Sequence, residues 1–127
     1  MVAFHAKLDE PVTLDTGKTL ICKEVIFSVG GGYDNLSGIF TAPVSGLYLF
    51  MATAKPWAFS LPSHLILMHE GQWVAYIDAE GRSVSACHAV IKVAAGEKVL
   101  LQTYHANNTF DCQWASSFSG LLVQQEI

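Results

Sequence analysis

The sequence is poor in charged residues, which make up 14% of its 127 residues, against about 25% in an ordinary soluble domain. Hydrophobic residues make up 51%, so a single copy has too few polar side chains to cover its surface, and we expect a homo-oligomer. Basic residues are scarce and scattered, and the formal net charge is -4. Nucleic acid is therefore not an expected partner, because binding to phosphates needs clustered lysine and arginine.

Long apolar runs are also missing. No run approaches the roughly 18 residues that are needed to span a bilayer, so we expect no membrane span. The first residues lack the basic start, apolar middle and cleavage site of a signal peptide. From composition alone the protein is either cytosolic or secreted with a leader outside this sequence. With no linker and no repeat, residues 1–127 are expected to form a single domain.

Only three cysteines occur, Cys22, Cys87 and Cys112, and none has the spacing of a metal site. Along the segment 84–93, Cys87 alternates onto the same face as Ala89 and other apolar residues. This alternation favours a buried free thiol that acts as a small hydrophobic residue. A disulfide bond between Cys87 and Cys112 is the alternative.

Motifs of the common enzyme classes are absent. There is no G-x-S-x-G nucleophile elbow and no phosphate-binding loop. His64 and His69 are five residues apart, which puts them on opposite faces of one strand, and the H-x-H pairing of metal-binding β-helix enzymes is missing. Cys87 and His88 also point to opposite sides of a strand. We therefore expect no enzymatic activity and no catalytic metal.

Turn signals recur at nearly even spacing and separate short segments that are rich in β-branched and aromatic residues. This pattern predicts an all-β fold of eight to ten short strands in two packed sheets. Residues 65–68 and 73–77 flank the turn dipeptide Glu70-Gly71 and predict a hairpin.

Residues 99–104 are apolar on both faces of their predicted strand. Val99 and Leu101 share one face, and Leu100 and Tyr104 share the other. A strand that is apolar on both faces in a two-layer sandwich needs a second covering surface. We therefore expect Leu100 and Tyr104 to contact a neighbouring subunit.

Acidic residues and sequons mark several of the predicted turns. Sequons for N-glycosylation begin at Asn35 and Asn107. Carboxylates in turns can supply oxygen ligands to calcium, and ordinary solvated side chains are the alternative. The acidic residues in or beside predicted turns are Asp34, Asp78, Glu80, Glu97 and Asp111.

The spacing of aromatic residues between positions 33 and 50 resembles a known family signature. Tyr33 is followed after six residues by Phe40, and after five more by the pattern Gly46-x-Tyr48-x-Phe50. This signature is similar to that of the globular head domain of complement component C1q, in the C1q/TNF superfamily. Further similar segments are Val2-Ala3-Phe4-His5-Ala6, Gly96-Glu97-Lys98-Val99 and Phe118-Ser119-Gly120-Leu121-Leu122.

The resemblance implies a ten-stranded jelly-roll β-sandwich that assembles as a homotrimer. It places the four rings of Tyr33, Phe40, Tyr48 and Phe50 in the core and at the trimer seam. The chain has no Gly-x-y repeat, so we expect either a head-only protein or a head excised from a longer one.

The resemblance also implies a function. It suggests a secreted, non-enzymatic recognition module, a pattern-recognition receptor or lectin of innate immunity that binds microbial or host glycans, including sialic acid or lipopolysaccharide. Trimerisation would add avidity to three weak sites. The alternative is a trimeric cytokine-like or synaptic-organiser-like ligand for a protein receptor.

Carbohydrate sites pair an aromatic plane with charged or amide groups, and the rings of Trp57, Trp73 and Trp114 lie near predicted loops. The residues that we expect to contact a ligand are Tyr76, Asp78, Arg82 and His105. For calcium, the candidates are Asp78 and Glu97. Glu97 keeps a carboxylate at the Gly-Asp turn of the family, whereas Ser83 stands where calcium-binding relatives have Asp.

Overall fold

The structure is a computed structural model and describes residues 1–58, 60–112 and 114–126. Twelve strands form within these residues, and the described part of the chain contains no helix long and apolar enough to cross a bilayer. The strands are β1 (Ala3–Lys7), β2 (Val12–Leu14), β3 (Glu24–Val29), β4 (Tyr33–Asp34), β5 (Ile39–Thr41), β6 (Gly46–Ala54), β7 (Ser63–His69), β8 (Gln72–Ala79), β9 (Ser85–Val93), β10 (Lys98–Thr103), β11 (Asn108–Phe110) and β12 (Ser117–Gln125).

The strands build two antiparallel five-stranded sheets that pack face to face as a jelly-roll sandwich. The first sheet has the order β3-β1-β12-β6-β9, and the second has the order β4-β5-β10-β7-β8. Strands β2 and β11 form a separate short pair. The predicted all-β architecture is confirmed. The count is twelve instead of ten, and four of the strands, β2, β4, β5 and β11, have only two or three residues each.

The aromatic spacing between residues 33 and 50 builds the centre of the core. Phe40 on β5 lies 5.6 Å from Tyr48 and 5.4 Å from Phe50, measured between ring centroids. Tyr48 and Phe50 share a face of β6 because they are two residues apart. Contacts between such rings stabilise a fold by about 1 kcal/mol beyond the area that they bury.

These central rings are sealed inside one protomer. Phe40, Tyr48 and Phe50 are at most 1% exposed, and the hydroxyl of Tyr48 donates to the carbonyl oxygen of Val44 (2.7 Å), which closes the turn at the start of β6. The expectation that these three rings also form a trimer seam is therefore wrong, because no part of them reaches the surface.

Tyr33 lies at the rim of the same ring cluster. Its ring stacks on Phe4 at 4.6 Å, and its hydroxyl donates to the carbonyl oxygen of Cys22 (2.7 Å). Burial of the hydroxyl is the main cause that raises the pKa of Tyr33. Tyr33 therefore stays neutral and acts as a core residue that is only partly covered.

The hairpin predicted around Glu70-Gly71 is confirmed. Strands β7 and β8 pair from His69 and Gln72 onward, so the loop has two residues. Glu70 and Gly71 adopt φ values of 48° and 79°. Positive φ at both central positions is the backbone of a type I′ turn, which suits the twist of a hairpin.

All three cysteines are free thiols. Cys22 is fully buried, and desolvation, followed by the charge of Asp9, raises the pKa of its thiol to about 12. Cys87 packs against the core from β9, where burial raises the pKa of its thiol to about 11. The free-thiol interpretation of Cys87 is confirmed. The alternative Cys87–Cys112 bridge is not formed, because Cys112 follows β11 in a different part of the fold.

Candidate recognition site

The outward face of the second sheet carries three rows of side chains that cross neighbouring strands. Strand register creates these rows, because residues paired across strands point to the same side of a sheet. The inward residues of the same strands, such as Leu65, Leu67 and Leu101, lie in the core. The outward rows are Trp73, Met68 and Leu100; Tyr76, Ile66 and Gln102; and Asp78 with His64.

Two large rings stand exposed over this face. Trp73 is 56% and Tyr76 is 61% exposed, whereas Ile66 and Met68 beneath them are only 2% and 8% exposed. The ring of Tyr104 lies 5.2 Å from Trp73 and 6.4 Å from Tyr76. The result is an aromatic platform on a buried aliphatic floor. We call Trp73, Tyr76, Asp78, Tyr104 and His105 the aromatic patch.

Tyr104 is held in place by its polar end. Its hydroxyl donates to the carbonyl oxygen of Ile77 on β8 (3.1 Å). Burial, followed by the nearby charges of Asp78 and Tyr76, raises the pKa of Tyr104. The hydroxyl therefore remains a donor, and the ring joins the end of β10 to β8.

His64 supports the aromatic patch through contacts with Asn108 and Asp78. Its Nδ1 lies 3.0 Å from Oδ1 of Asn108, and its Nε2 lies 3.2 Å from Oδ1 of Asp78. The two ring nitrogens therefore face two oxygens that accept hydrogen bonds, one on Asn108 and one on Asp78. The ring of His105 meets that of His64 edge-on at 5.0 Å. His64 therefore links β7, β8 and the loop that follows β10.

Asn108 completes this brace. It is fully buried, and its amide nitrogen donates to the carbonyl oxygens of Tyr104 and His105, both at 2.9 Å. Its Oδ1 accepts the backbone N–H of His64 (2.8 Å). These bonds hold His105 in a left-handed conformation with φ of 60°, which a non-glycine residue rarely adopts.

The outward face of the first sheet is different in character, because it is broadly apolar. Register places exposed side chains from four of its strands on this side, around a depression of about 320 Å³. His5, which contacts the hydroxyl of Ser119, and the exposed His88 are polar groups on the same face. We call this the apolar face; its exposed hydrophobic residues are Phe27, Val29, Met51, Val90 and Leu121.

Comparison with known proteins assigns the family. The family model that describes the C1q domain matches residues 3–123. The chain belongs to the C1q domain family. This C1q domain is 32% identical over 126 residues to complement C1q tumor necrosis factor-related protein 3 of Mus musculus, an alignment that includes 96% of the chain. The chain spans about half (51%) of the length of that relative.

Solved structures agree on the fold. The globular domain of zebrafish complement 1qA protein superposes with a TM-score of 0.77 at 16% identity, and the match covers 99% of this chain and all of that one. Murine APRIL at pH 8.5 superposes with a TM-score of 0.75 at 10% identity, covering 96% of this C1q domain and 98% of that chain. At such low identities these likenesses concern the fold alone.

The structure brings together three of the four residues expected to contact a ligand. Tyr76 and Asp78 lie two residues apart on one face of β8. His105 does not contact them directly: its ring contacts Tyr104, which in turn contacts Tyr76 and His64, and His64 contacts Asp78. Arg82 is exposed in the turn between β8 and β9. Its contact with a ligand stays a prediction.

The supporting contacts of the patch do not follow from the sequence pattern. The pattern indicates that Asn108 lines the loop end after an apolar strand, but it predicts neither its contacts with His64 nor a role for Gln102. The available signal was the alternation along β7, which puts His64, Ile66 and Met68 on one face. That signal indicates a shared face but does not show which strands lie beside it.

The outward residues of β10 are only partly covered within the protomer. Leu100 pairs with Met68 in the row of Trp73, and the ring of Trp73 lies against Tyr104. The second covering surface that residues 99–104 require is thus supplied in part by β8. A subunit contact at Leu100 and Tyr104 stays a prediction.

The two calcium candidates do not share a site. Asp78 lies beside His64 at the start of β7, whereas Glu97 lies 3.0 Å from Nε2 of His69 at the other end of that strand. The backbone N–H of Ala94, and then His69, hold the pKa of Glu97 below its usual range. Across residues 1–58, 60–112 and 114–126, no group of three or more acidic, histidine or cysteine side chains is placed to hold a metal ion. Asp78 and Glu97 therefore do not belong to one site, and calcium binding by either residue stays a prediction.

Proposed function

We propose that this C1q domain is a non-enzymatic recognition module of a secreted protein, a pattern-recognition receptor or lectin that binds glycans through the aromatic patch. The observation that carries the proposal is the pair of exposed rings, Trp73 and Tyr76, beside the carboxylate of Asp78 and the imidazole of His105. Rings of this kind offer an apolar plane for a pyranose face, and the polar groups fix its hydroxyls. The side chain of Asp78 is 57% exposed, so a ligand can reach it.

The proposal includes a homotrimer that forms through the apolar face. Large apolar patches on soluble proteins mark interaction sites, and this one lies on the first sheet, away from the aromatic patch on the second. A cyclic trimer would then present three aromatic patches outward. Repeated glycans on a microbial surface would engage several patches at once, and avidity would raise the apparent affinity.

A glycan array tests the proposal directly. The purified protein, with its mass measured by light scattering, is applied to an array that includes sialylated glycans and lipopolysaccharide. Selective binding is expected, and it should be lost in the variant Trp73→Ala with Tyr76→Ala. The matched control is Trp114→Ala, which removes an exposed ring outside the patch (68% exposed) and should leave binding unchanged. Failure of a well-folded trimer to bind any glycan would overturn the proposal.

A trimeric cytokine-like or organiser-like ligand for a protein receptor is the second candidate. The observation that favours it is the relation to a tumor necrosis factor-related protein, together with the fold shared with murine APRIL. Binding to a receptor should then be insensitive to soluble sugars and sensitive to charged substitutions at the sides of each subunit. Competition by a soluble glycan would exclude this candidate.

A further inference from the structure

The aromatic patch continues into an open groove on the same sheet face. The groove has a volume of about 350 Å³ and runs over β7 and β10. Register places Met68, which lines the groove, directly beside Trp73 of the patch. Patch and groove therefore form one surface with Trp73 at their junction. The residues that line the groove are Met68, Glu70, Gly71, Lys98, Leu100 and Gln102.

The combined surface is elongated along the strands. It extends from His64 to Glu70, a span of six residues that corresponds to roughly 20 Å at about 3.3 Å per residue. The groove is open and not an enclosed cavity, so a ligand chain can continue past both ends. A surface of this shape contacts several consecutive units of a chain, whereas a pocket for a terminal sugar would surround a single unit.

Acidic and basic side chains both occur along this surface. At one end, the imidazole of His64 faces the carboxylate of Asp78. At the other end, Lys98 lies beside Glu70, whose Oε2 accepts the backbone N–H of Lys98 (2.7 Å). Between these ends the floor consists of Met68, Leu100 and the amide of Gln102. No cluster of cations develops among these residues, so an anionic ligand would gain little from binding here.

The backbone of this surface offers little to an extended peptide. Strands β7 and β10 are interior strands of the second sheet, so their N–H and C=O groups are paired with neighbouring strands. A peptide that binds by strand addition needs a free sheet edge. Of the three strands under this surface only β8 lies at a sheet edge. A ligand that lies across β7 and β10 must instead stack on rings and form hydrogen bonds with side chains, as a sugar chain does.

We propose that the patch and groove together bind a linear, uncharged oligosaccharide along its length. Trp73 supplies the stacking plane at the junction, Asp78 bonds hydroxyl groups of the units on the patch, and Gln102 bonds those of the units that lie in the groove. This inference rests on the proposed glycan-binding function and adds to it the length and charge of the ligand.

Calorimetry with matched sugar series tests the inference. The probes are the gluco-oligosaccharides of cellulose, laminarin and starch and the oligosaccharides of chitin, each from the monosaccharide to the hexasaccharide. For at least one series, affinity should rise with each added unit up to about the tetrasaccharide, where roughly 20 Å of surface is filled, and then stay constant. Sialyllactose and a sulfated oligosaccharide serve as charged probes and should bind more weakly.

Variants separate the contributions of the aromatic patch and the groove to oligosaccharide affinity. Gln102→Ala should weaken binding of the tetrasaccharide and leave the disaccharide unchanged, because Gln102 lies in the groove. Trp73→Ala should weaken both by up to about tenfold, the upper value for one aromatic contact, and Trp73→Phe should restore most of the affinity. Trp114→Ala, which alters an exposed ring elsewhere, should change neither.

The outcomes separate this inference from the proposed function. Sugar binding that does not depend on chain length, or that is strongest for a charged probe, overturns the inference and leaves the glycan-binding function in place. Displacement of the sugar by an extended peptide of similar affinity also overturns it. Binding to no sugar in any series overturns both the function and the inference.

Discussion

Replacing the buried Asn108 with alanine should destabilise the fold strongly. The substitution removes the partner of three backbone groups, the carbonyl oxygens of Tyr104 and His105 and the N–H of His64, together with the contact to the His64 ring. Each hydrogen bond contributes about 0.5–1.5 kcal/mol. Since water can reach part of the loop after the change, we expect a loss of about 3 kcal/mol in the free energy of unfolding.

Urea unfolding measures this loss. The midpoint should fall while the slope against urea stays constant, and protomer concentration must be equal in all samples because the stability of an oligomer depends on it. The matched control is Asn35→Ala, whose amide donates a single exposed bond to the carbonyl oxygen of Lys23 (3.1 Å). Equal stability of the two variants would refute the role of Asn108 as a brace.

Three further predictions concern the core, the apolar face and the response to acid. Gly120→Ala should lower the free energy of unfolding by about 2 kcal/mol through overpacking, because a Cβ atom at position 120 would lie 2.9 Å from the ring of Phe50. Thermal unfolding measures this loss. Met51→Glu should shift the oligomer to monomers in light scattering, whereas Leu36→Glu, at a residue that is 80% exposed in a turn, should not. Glu97→Gln should reduce the loss of stability in acid, measured by urea unfolding between pH 7 and pH 3.

The sign of the acid effect follows from the lowered pKa of Glu97. The stability that this carboxylate contributes is present above the pKa of an unfolded glutamate, about 4.3, and is lost as the pH falls through the lower folded value. If the free energy of unfolding fell equally with pH in the native protein and in Glu97→Gln, this reasoning would be contradicted. Unchanged stability of Gly120→Ala, or an intact oligomer of Met51→Glu, would contradict the other two predictions.

The two distinctive surfaces of this C1q domain lie on different sheets. The apolar face belongs to the first sheet, and the aromatic patch with its groove belongs to the second. Assembly through the first surface would therefore leave the second accessible. This separation suits a module that combines weak individual sites with multivalent binding.

Local pattern alone determined the class of fold. Alternation with period two and evenly spaced turns predicted two packed sheets of short strands, and Glu70-Gly71 predicted a hairpin. The aromatic spacing between Tyr33 and Phe50 indicated the family resemblance. These features depend on residues that are close in the chain, where side-chain direction and turn chemistry follow from the sequence. The sequence therefore sufficed for the architecture and for the family resemblance.

Tertiary structure decided the composition of the candidate site. Alternation shows that His64, Ile66 and Met68 share a face, and the turn at Glu70-Gly71 predicts that β8 lies beside it. Neither signal shows that β10 flanks the other side or which of its residues pair with β7. The same pattern does not separate a ring sealed in the core, such as Tyr48, from one at the surface, such as Tyr76. Strand β10 pairs with β7 from a distant part of the chain, so the contacts that join Leu100 to Met68 and Gln102 to Ile66 exist only once the second sheet has formed.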